Sequence, residues 1–395
     1  MTIIEQSYGT RSVGLKLGIL AAALFVVGTN AFVIAGVLPA IAASLGVTAS
    51  AVSFSITWYA VVVAVASPVV SVVFARMPRT RLMAGGLALI AVGTVVAAAA
   101  GSLEMFTVGR VLAALGGAAL VPAATAAAPS LVPPEQRGRA LAATGLGFTL
   151  ATAIGSPFGT FLAELGGWRL ALGVLAGLAA VLTVVLAVLV RGIPTGPALS
   201  FPARFAVLGN SRILLGLLAT LLMVIAFNVV YVFSSTVARP ATGGDGTLLA
   251  LLLLAYGAFG ILGNWLGGRL TDRIGGRWAA LAGLVVEAAA LLALIPARSS
   301  LPATAVLFAV WGVATYTAIV PVQHRLAAID PDRAGISLSW YSTAMYVGIA
   351  LAPVIGAAVL ASGATLLLII AAAAAVAAAI VFESGHRGIR PRSRS

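Results

Sequence analysis

The side chains able to do chemistry are few. The 395 residues include no Cys, a single lysine (Lys16) and two histidines (His324 and His386). Disulfides, thiolate catalysis and Cys-based metal sites are therefore excluded, and no HExxH pairing can be drawn. Lys16 is followed by Leu17, so the Gly-Lys-Ser/Thr ending of a phosphate-cradling loop is absent, which disfavours ATP-driven transport by this chain alone. No nucleophile, base and orienting group form a constellation, so the sequence reads as no enzyme and requires no cofactor or metal. What remains are two ionisable groups set inside long apolar runs, Arg110 and Glu287. A charge at the centre of a membrane helix costs about 2.5–3.5 kcal/mol on insertion scales, so each is a functional candidate by default. Arg110 is expected to face a polar interior, with snorkelling to a membrane surface as the alternative. Glu287 is held more cheaply neutral than charged in hydrocarbon. That makes it a candidate proton binder, with neutral packing or a hydrogen bond to a neighbouring helix as the alternative.

The elements that must position these groups are membrane helices. The chain is 61% hydrophobic and 8% charged, with a mean hydropathy of +1.13. An average soluble domain carries about 25% charged residues, so a water-soluble globular protein is excluded. A bilayer core about 30 Å thick needs about 20 apolar residues per helix. That ruler places twelve spans near 15–38, 49–74, 80–100, 104–128, 139–163, 169–191, 212–236, 247–268, 278–296, 301–323, 335–360 and 363–382. The first reads as a retained helix, since no small-residue cleavage site followed by a polar domain appears. The net charge of +13 suits a membrane surface better than nucleic acid, because the basic residues fall in short segments between apolar runs. Arg76, Arg79, Arg81, Arg137, Arg139, Arg191, Arg204, Arg212, Arg269, Arg273, Arg277, Arg325 and Arg333 lie on one side; Arg169, Arg239 and Arg298 lie on the other. The asymmetry places both termini in the cytoplasm.

The chain also repeats. Arg76 and Arg273 are 197 residues apart, Arg137 and Arg333 are 196 apart, and Pro157 and Pro353 are again 196 apart. Three landmarks in register argue for two six-helix halves, residues 1–191 and 212–395, the second ending in a short basic tail. The Pro-containing stretch 192–211 is the cytoplasmic linker, within which 201–208 is expected to form a short surface helix.

With these landmarks the whole chain resembles the major facilitator superfamily, and within it the twelve-span drug:proton antiporter branch of arabinose-efflux-like and chloramphenicol-efflux-like permeases. The strongest match is Gly268-Arg269-Leu270-Thr271-Asp272-Arg273-Ile274-Gly275-Gly276-Arg277, similar to the superfamily's loop signature. There Asp272 can bond neighbouring amides and an arginine, and the resemblance implies a cytoplasmic conformational latch. The first-half copy keeps Arg76, Arg79 and Arg81 but has Ala75 in place of the acid. Arg110, in Arg110-Val111-Leu112-Ala113-Ala114-Leu115-Gly116, resembles the fourth-helix motif tied to proton transfer. Gly145, Gly147, Gly155, Pro157 and Gly159 resemble the fifth-helix antiporter motif, with Ser156 splitting the usual Gly-Pro pair; close packing of small residues is the alternative.

The resemblance implies an all-α major facilitator fold whose first, fourth, seventh and tenth spans line a central cavity. Candidate substrate contacts on those spans are Asn30, Asn228, Tyr231, Trp311, Tyr316 and Gln323, extended by Trp58 and Tyr59 and by Trp340 and Tyr341. Such an uncharged, aromatic lining suits neutral or weakly amphipathic solutes. Related exporters often carry an acid in the first span, where this chain has Ala31 in Thr29-Asn30-Ala31-Phe32. The expectation is an inner-membrane, monomeric secondary transporter that exports small organic molecules by alternating access, driven by proton entry. The alternatives are a facilitator or importer of a polar metabolite and a nontransporting receptor or scaffold.

Overall fold

In lipid every backbone amide must be satisfied within its own segment, and long helices result. A computed structural model describes residues 3–74, 76–133, 136–193 and 205–386, and within these the chain is a succession of apolar helices. They divide into two compact units, Met1–Ser200 and Phe201–Ser395.

In the first unit the spans are Ile3–Leu45, Ala49–Val73, Arg79–Ala98 and Leu103–Ala127, followed by the fifth and sixth, which share one continuous run. That run is Arg137–Leu150, a π-helical turn at Ala151–Gly155, and Ser156–Leu189. The loop expected between spans five and six is only a two-residue kink, where Gly166 has φ −152° and Gly167 φ +78°. The positive φ suits a residue without a Cβ, so the chain reverses without a polar loop. Thr48 caps the second span by accepting from Ala51 N at 3.1 Å, and Ser102 caps the fourth from Met105 N at 3.3 Å. The first span packs on the fifth, the second on the fourth, and the third on the fourth and sixth.

In the second unit the seventh span, Ser211–Val232, ends early; Phe233 leaves helical geometry and a short helix, Ser234–Thr242, follows. The remaining spans are Gly246–Ile274, Gly276–Ala297, Leu301–Ile329, Ala334–Leu360 and Ala364–Ser384. Asn210 caps the seventh and Asp245 the eighth. Pairings repeat those of the first unit: seventh with eleventh, eighth with tenth, ninth with tenth and twelfth. Of the expected linker helix, 201–204 lie outside the described residues, and Ala206–Gly209 form a single 3₁₀ turn. The tail beyond residue 386 also lies outside them.

Candidate functional site

The first unit holds a buried cation. Arg110 is 2% exposed, so it does not snorkel; its helix turns it inward against Asn30 of the first span and Tyr59 of the second. Its Nη1 donates to both the backbone carbonyl and Oδ1 of Asn30, each at 2.6 Å. Asn30 Nδ2 donates in turn to Thr94 Oγ1 at 2.7 Å, and Thr94 donates to Ile90 O at 2.6 Å. The guanidinium carbon sits 4.4 Å from the centre of the Tyr59 ring, a cation–π contact that partly replaces lost hydration. Nε and Nη2 of Arg110 and the Tyr59 hydroxyl have no hydrogen-bond partner among the described residues. Asn30 is thus the hub that ties three spans to one charge. Trp58, next to Tyr59 in sequence, is 53% exposed on another face of the same helix.

The second unit holds a buried acid. Glu287, on the ninth span, is 0% exposed. Its Oε1 accepts from Thr315 Oγ1 at 2.9 Å, while Oε2 has no hydrogen-bond partner among the described residues. The Trp311 indole lies beside this carboxylate without closing a bond of regular geometry. Around it stands an aromatic cluster: Trp311 and Tyr256 with ring centres 4.3 Å apart, Tyr256 and Tyr231 at 5.5 Å, Phe308 and Trp311 at 5.4 Å, and Tyr256 and Tyr316 at 6.1 Å. Asn228 is buried on the seventh span, with its Nδ2 unpartnered among the described residues. Gln323 and Tyr341 lie side by side towards the other end of the tenth and eleventh spans, and Trp340 stacks edge-on to Phe205 at 5.3 Å. The expected lining therefore separates into an Asn30–Tyr59–Arg110 cluster, a Tyr231–Trp311–Tyr316 cluster with Asn228 buried on the seventh span, a Gln323–Tyr341 pair, and the outlying Trp58 and Trp340. Thr94, Thr315 and Tyr256 complete these clusters and were not singled out from sequence, because hydroxyls are common in apolar helices and carry no spacing signal.

The fifth-span motif is a packing seam. A Cβ on Gly147 would strike the Ala21 carbonyl, one on Gly155 the Thr29 side chain and one on Gly159 the Val33 side chain, so these glycines let the fifth span touch the first. Gly145 faces open space. Pro157 lies two residues after the π turn Ala151–Gly155, and the widened turn makes room for a ring that offers no amide donor.

The loop signature of the second unit begins at the end of the eighth span. Gly275, with φ +85°, makes the turn into the ninth. Asp272 and Arg273 are exposed, and Asp272 makes no hydrogen bond or ion pair among the described residues. The acid that engages the loop is instead Glu383, at the end of the twelfth span. Arg277 Nε and Nη2 donate to its two oxygens at 2.8 and 2.5 Å. Glu383 is within reach because the twelfth span packs on the ninth; a sequence separation of 106 hides this. Beside the pair, Arg325 donates to Phe382 O at 2.5 Å, and burial together with the Arg325 guanidinium pushes the His386 imidazole below its usual value. In the first unit Arg76 is exposed and Arg79 donates to Ala126 O at 2.7 Å. Glu104, Glu164 and His324 are exposed, as boundary groups.

Comparison with known proteins follows the same lines. The family model of the Major Facilitator Superfamily matches residues 20–239 and again 216–393. The "Inner membrane transport protein YdhP" of Escherichia coli (strain K12) is 30% identical over 350 residues, 87% of this chain and 88% of that protein. A "Chloramphenicol resistance protein" of Streptomyces lividans is 30% identical over 365 residues, 88% of this chain and 89% of that one. Among solved structures, a bacterial homolog of the human lysosomal transporter Spinster, inward-facing and unoccupied, superposes with a TM-score of 0.77 at 17% identity, covering 96% of this chain and 97% of that one.

Proposed function

The chain belongs to the major facilitator superfamily, and from that premise we propose that it is a proton-driven exporter of small organic molecules, working by alternating access in an inner membrane with both termini cytoplasmic. It is a multi-pass secondary transporter and not an enzyme. The export reading rests on the Streptomyces lividans relative, whose name concerns chloramphenicol resistance, a neutral aromatic solute class that suits an uncharged, aromatic lining.

The observation that carries proton coupling is Glu287, fully buried with one oxygen bonded and the other bare. Protonated, it packs as a neutral group. Deprotonated, it needs donors or water beyond the Thr315 hydroxyl and the adjacent Trp311 indole, so losing a proton favours a conformation that brings more. The proposed carrier is therefore in the ninth span and not in the first, where Ala31 replaces the acid of related exporters. Arg110 stays charged and acts by position: through Asn30 and Tyr59 it couples movements of the first, second and fourth spans to one another. Asn30, Tyr59, Asn228, Tyr231, Trp311 and Tyr316 are the proposed substrate contacts. The Gly268–Arg277 loop is the proposed latch, with Arg277–Glu383 as its anchor.

The test is retention of a panel of neutral and cationic antimicrobials, chloramphenicol included, by efflux-deficient bacteria expressing the chain. Lower retention that a protonophore restores is the expected result. Unchanged retention of every compound, with membrane expression verified, overturns the export reading in favour of a narrow metabolite carrier.

A further inference from the structure

We propose that the first unit carries a site for one anionic phospholipid, in a groove formed by the second, third and fourth spans. The groove has a volume of about 270 Å³ and is walled by Val70, Phe74, Leu82, Leu89, Leu115 and Ala119, with the side chain of Arg81 at one end. Its hollow has a cause in the sequence. Gly86 lets the third span touch the fourth, where a Cβ would meet the Gly116 carbonyl at 2.8 Å; its neighbour Gly85 has nothing within 4 Å of a Cβ position. One glycine closes the helix pair and the other leaves an empty slot on its outer side.

The slot faces lipid. Val65, Val69 and Val73 form an exposed apolar stripe along the second span, and Phe74, Met77 and Leu115 are each more than a third exposed. Leu115 lies five residues after the inward-facing Arg110, about 140° around the helix. From Arg81 to Leu89 the third span rises roughly 12 Å, close to one leaflet of a hydrocarbon core about 30 Å thick. The slot therefore matches an acyl chain in depth, with the arginine at headgroup level.

Charge selects the headgroup. The Arg81 guanidinium makes no hydrogen bond or ion pair among the described residues, and the exposed Arg76 stands in the same loop. The equivalent loop of the second unit carries Asp272, whereas the first has Ala75 in that place, so these cations have no acid within their own loop. A free guanidinium above an apolar slot fits a phosphodiester bearing a net negative charge, as in phosphatidylglycerol or cardiolipin, better than a zwitterionic headgroup.

The test uses delipidated full-length protein in detergent, with lipid retention read by native mass spectrometry and unfolding temperature read in parallel. Wild type is expected to retain phosphatidylglycerol about fivefold or more over phosphatidylcholine, the effect of one arginine at an anionic surface. Arg81→Ala is expected to bring the two to parity, and Gly85→Leu to reduce retention of both by filling the slot; Arg269→Ala in the other unit leaves the preference intact. Should Gly85→Leu not fold, Gly85→Ala gives a smaller reduction and Arg81→Ala still decides. Equal retention of the two lipids by wild type, an unchanged preference in Arg81→Ala, or competition by free glycerol phosphate as effective as that by the lipid would each overturn the proposal.

Discussion

Replacing Asn30 with alanine tests the buried hub of the first unit. The change removes Oδ1, one of two acceptors for Arg110 Nη1, and Nδ2, the donor to Thr94; the backbone carbonyl remains. A hydrogen bond to a charged group contributes about 1.5–3 kcal/mol and a neutral one about 0.5–1.5 kcal/mol, so the expected cost is roughly 2–4.5 kcal/mol. For a unit of this size that corresponds to a fall in unfolding temperature of roughly 5–15 °C. The assay is thermal unfolding of purified protein in detergent, followed by intrinsic tryptophan fluorescence. A cycle with Arg110→Ala separates the pair from the rest: the double variant should recover about 1.5–3 kcal/mol relative to the sum of the singles, because no buried charge is left without its acceptor. Additive losses, or a fall of less than about 2 °C in Asn30→Ala, would refute the view that Asn30 holds the charge. Asn30→Asp adds a counter-charge but loses the Nδ2 donor to Thr94, so it should lower the unfolding temperature less than Asn30→Ala while slowing transport by pinning the guanidinium.

Glu287→Gln should leave unfolding temperature within about 2 °C of wild type, since Thr315 keeps its acceptor, yet abolish pH-dependent flux; preserved dependence in a transport assay would send the carrier elsewhere. Gly155→Leu should cost roughly 3 kcal/mol or more by forcing the first and fifth spans apart, read as loss of folded protein after extraction; normal yield and stability would contradict the packing seam. Glu383→Gln should cost less than about 1 kcal/mol, because Arg277 is exposed, but change the rate of conformational exchange measured by hydrogen exchange in the 268–277 loop. His386 resists protonation in the folded chain through burial and the nearby Arg325, so its contribution is kept above the unfolded value of about 6.5 and lost as pH falls below it. Amide exchange in the last turn of the twelfth span should therefore quicken from pH 7.5 to 5.5; an exchange profile that is flat after correction for intrinsic rates would contradict this.

The helical fold and the family were legible because lipid imposes long apolar runs and because the loop and helix motifs survive in the sequence. Arg110 was legible as a buried group from its type alone. The facing of other residues was not, since a helix apolar all round has no periodic face to read. Glu287 illustrates this: the residues around it in its span are apolar on every face, and nothing in the sequence says that the carboxylate turns towards Thr315 rather than outward. Trp58 and Tyr59 are adjacent letters with opposite fates, one half-exposed and one buried under a guanidinium. The Arg277–Glu383 pair was hidden by sequence distance, whereas the break between the spans expected at 139–163 and 169–191 falls on the kink at Gly166–Gly167, flanked by Glu164 and Arg169.

The central claim is that outward movement of a solute is paid by inward movement of protons through Glu287. The most direct measurement is proton uptake into proteoliposomes, read by an internal pH-sensitive dye, when chloramphenicol or another solute retained less by expressing cells is supplied on the inside. The account predicts solute-dependent acidification in wild type and none in Glu287→Gln; solute movement without any proton flux in wild type would contradict it.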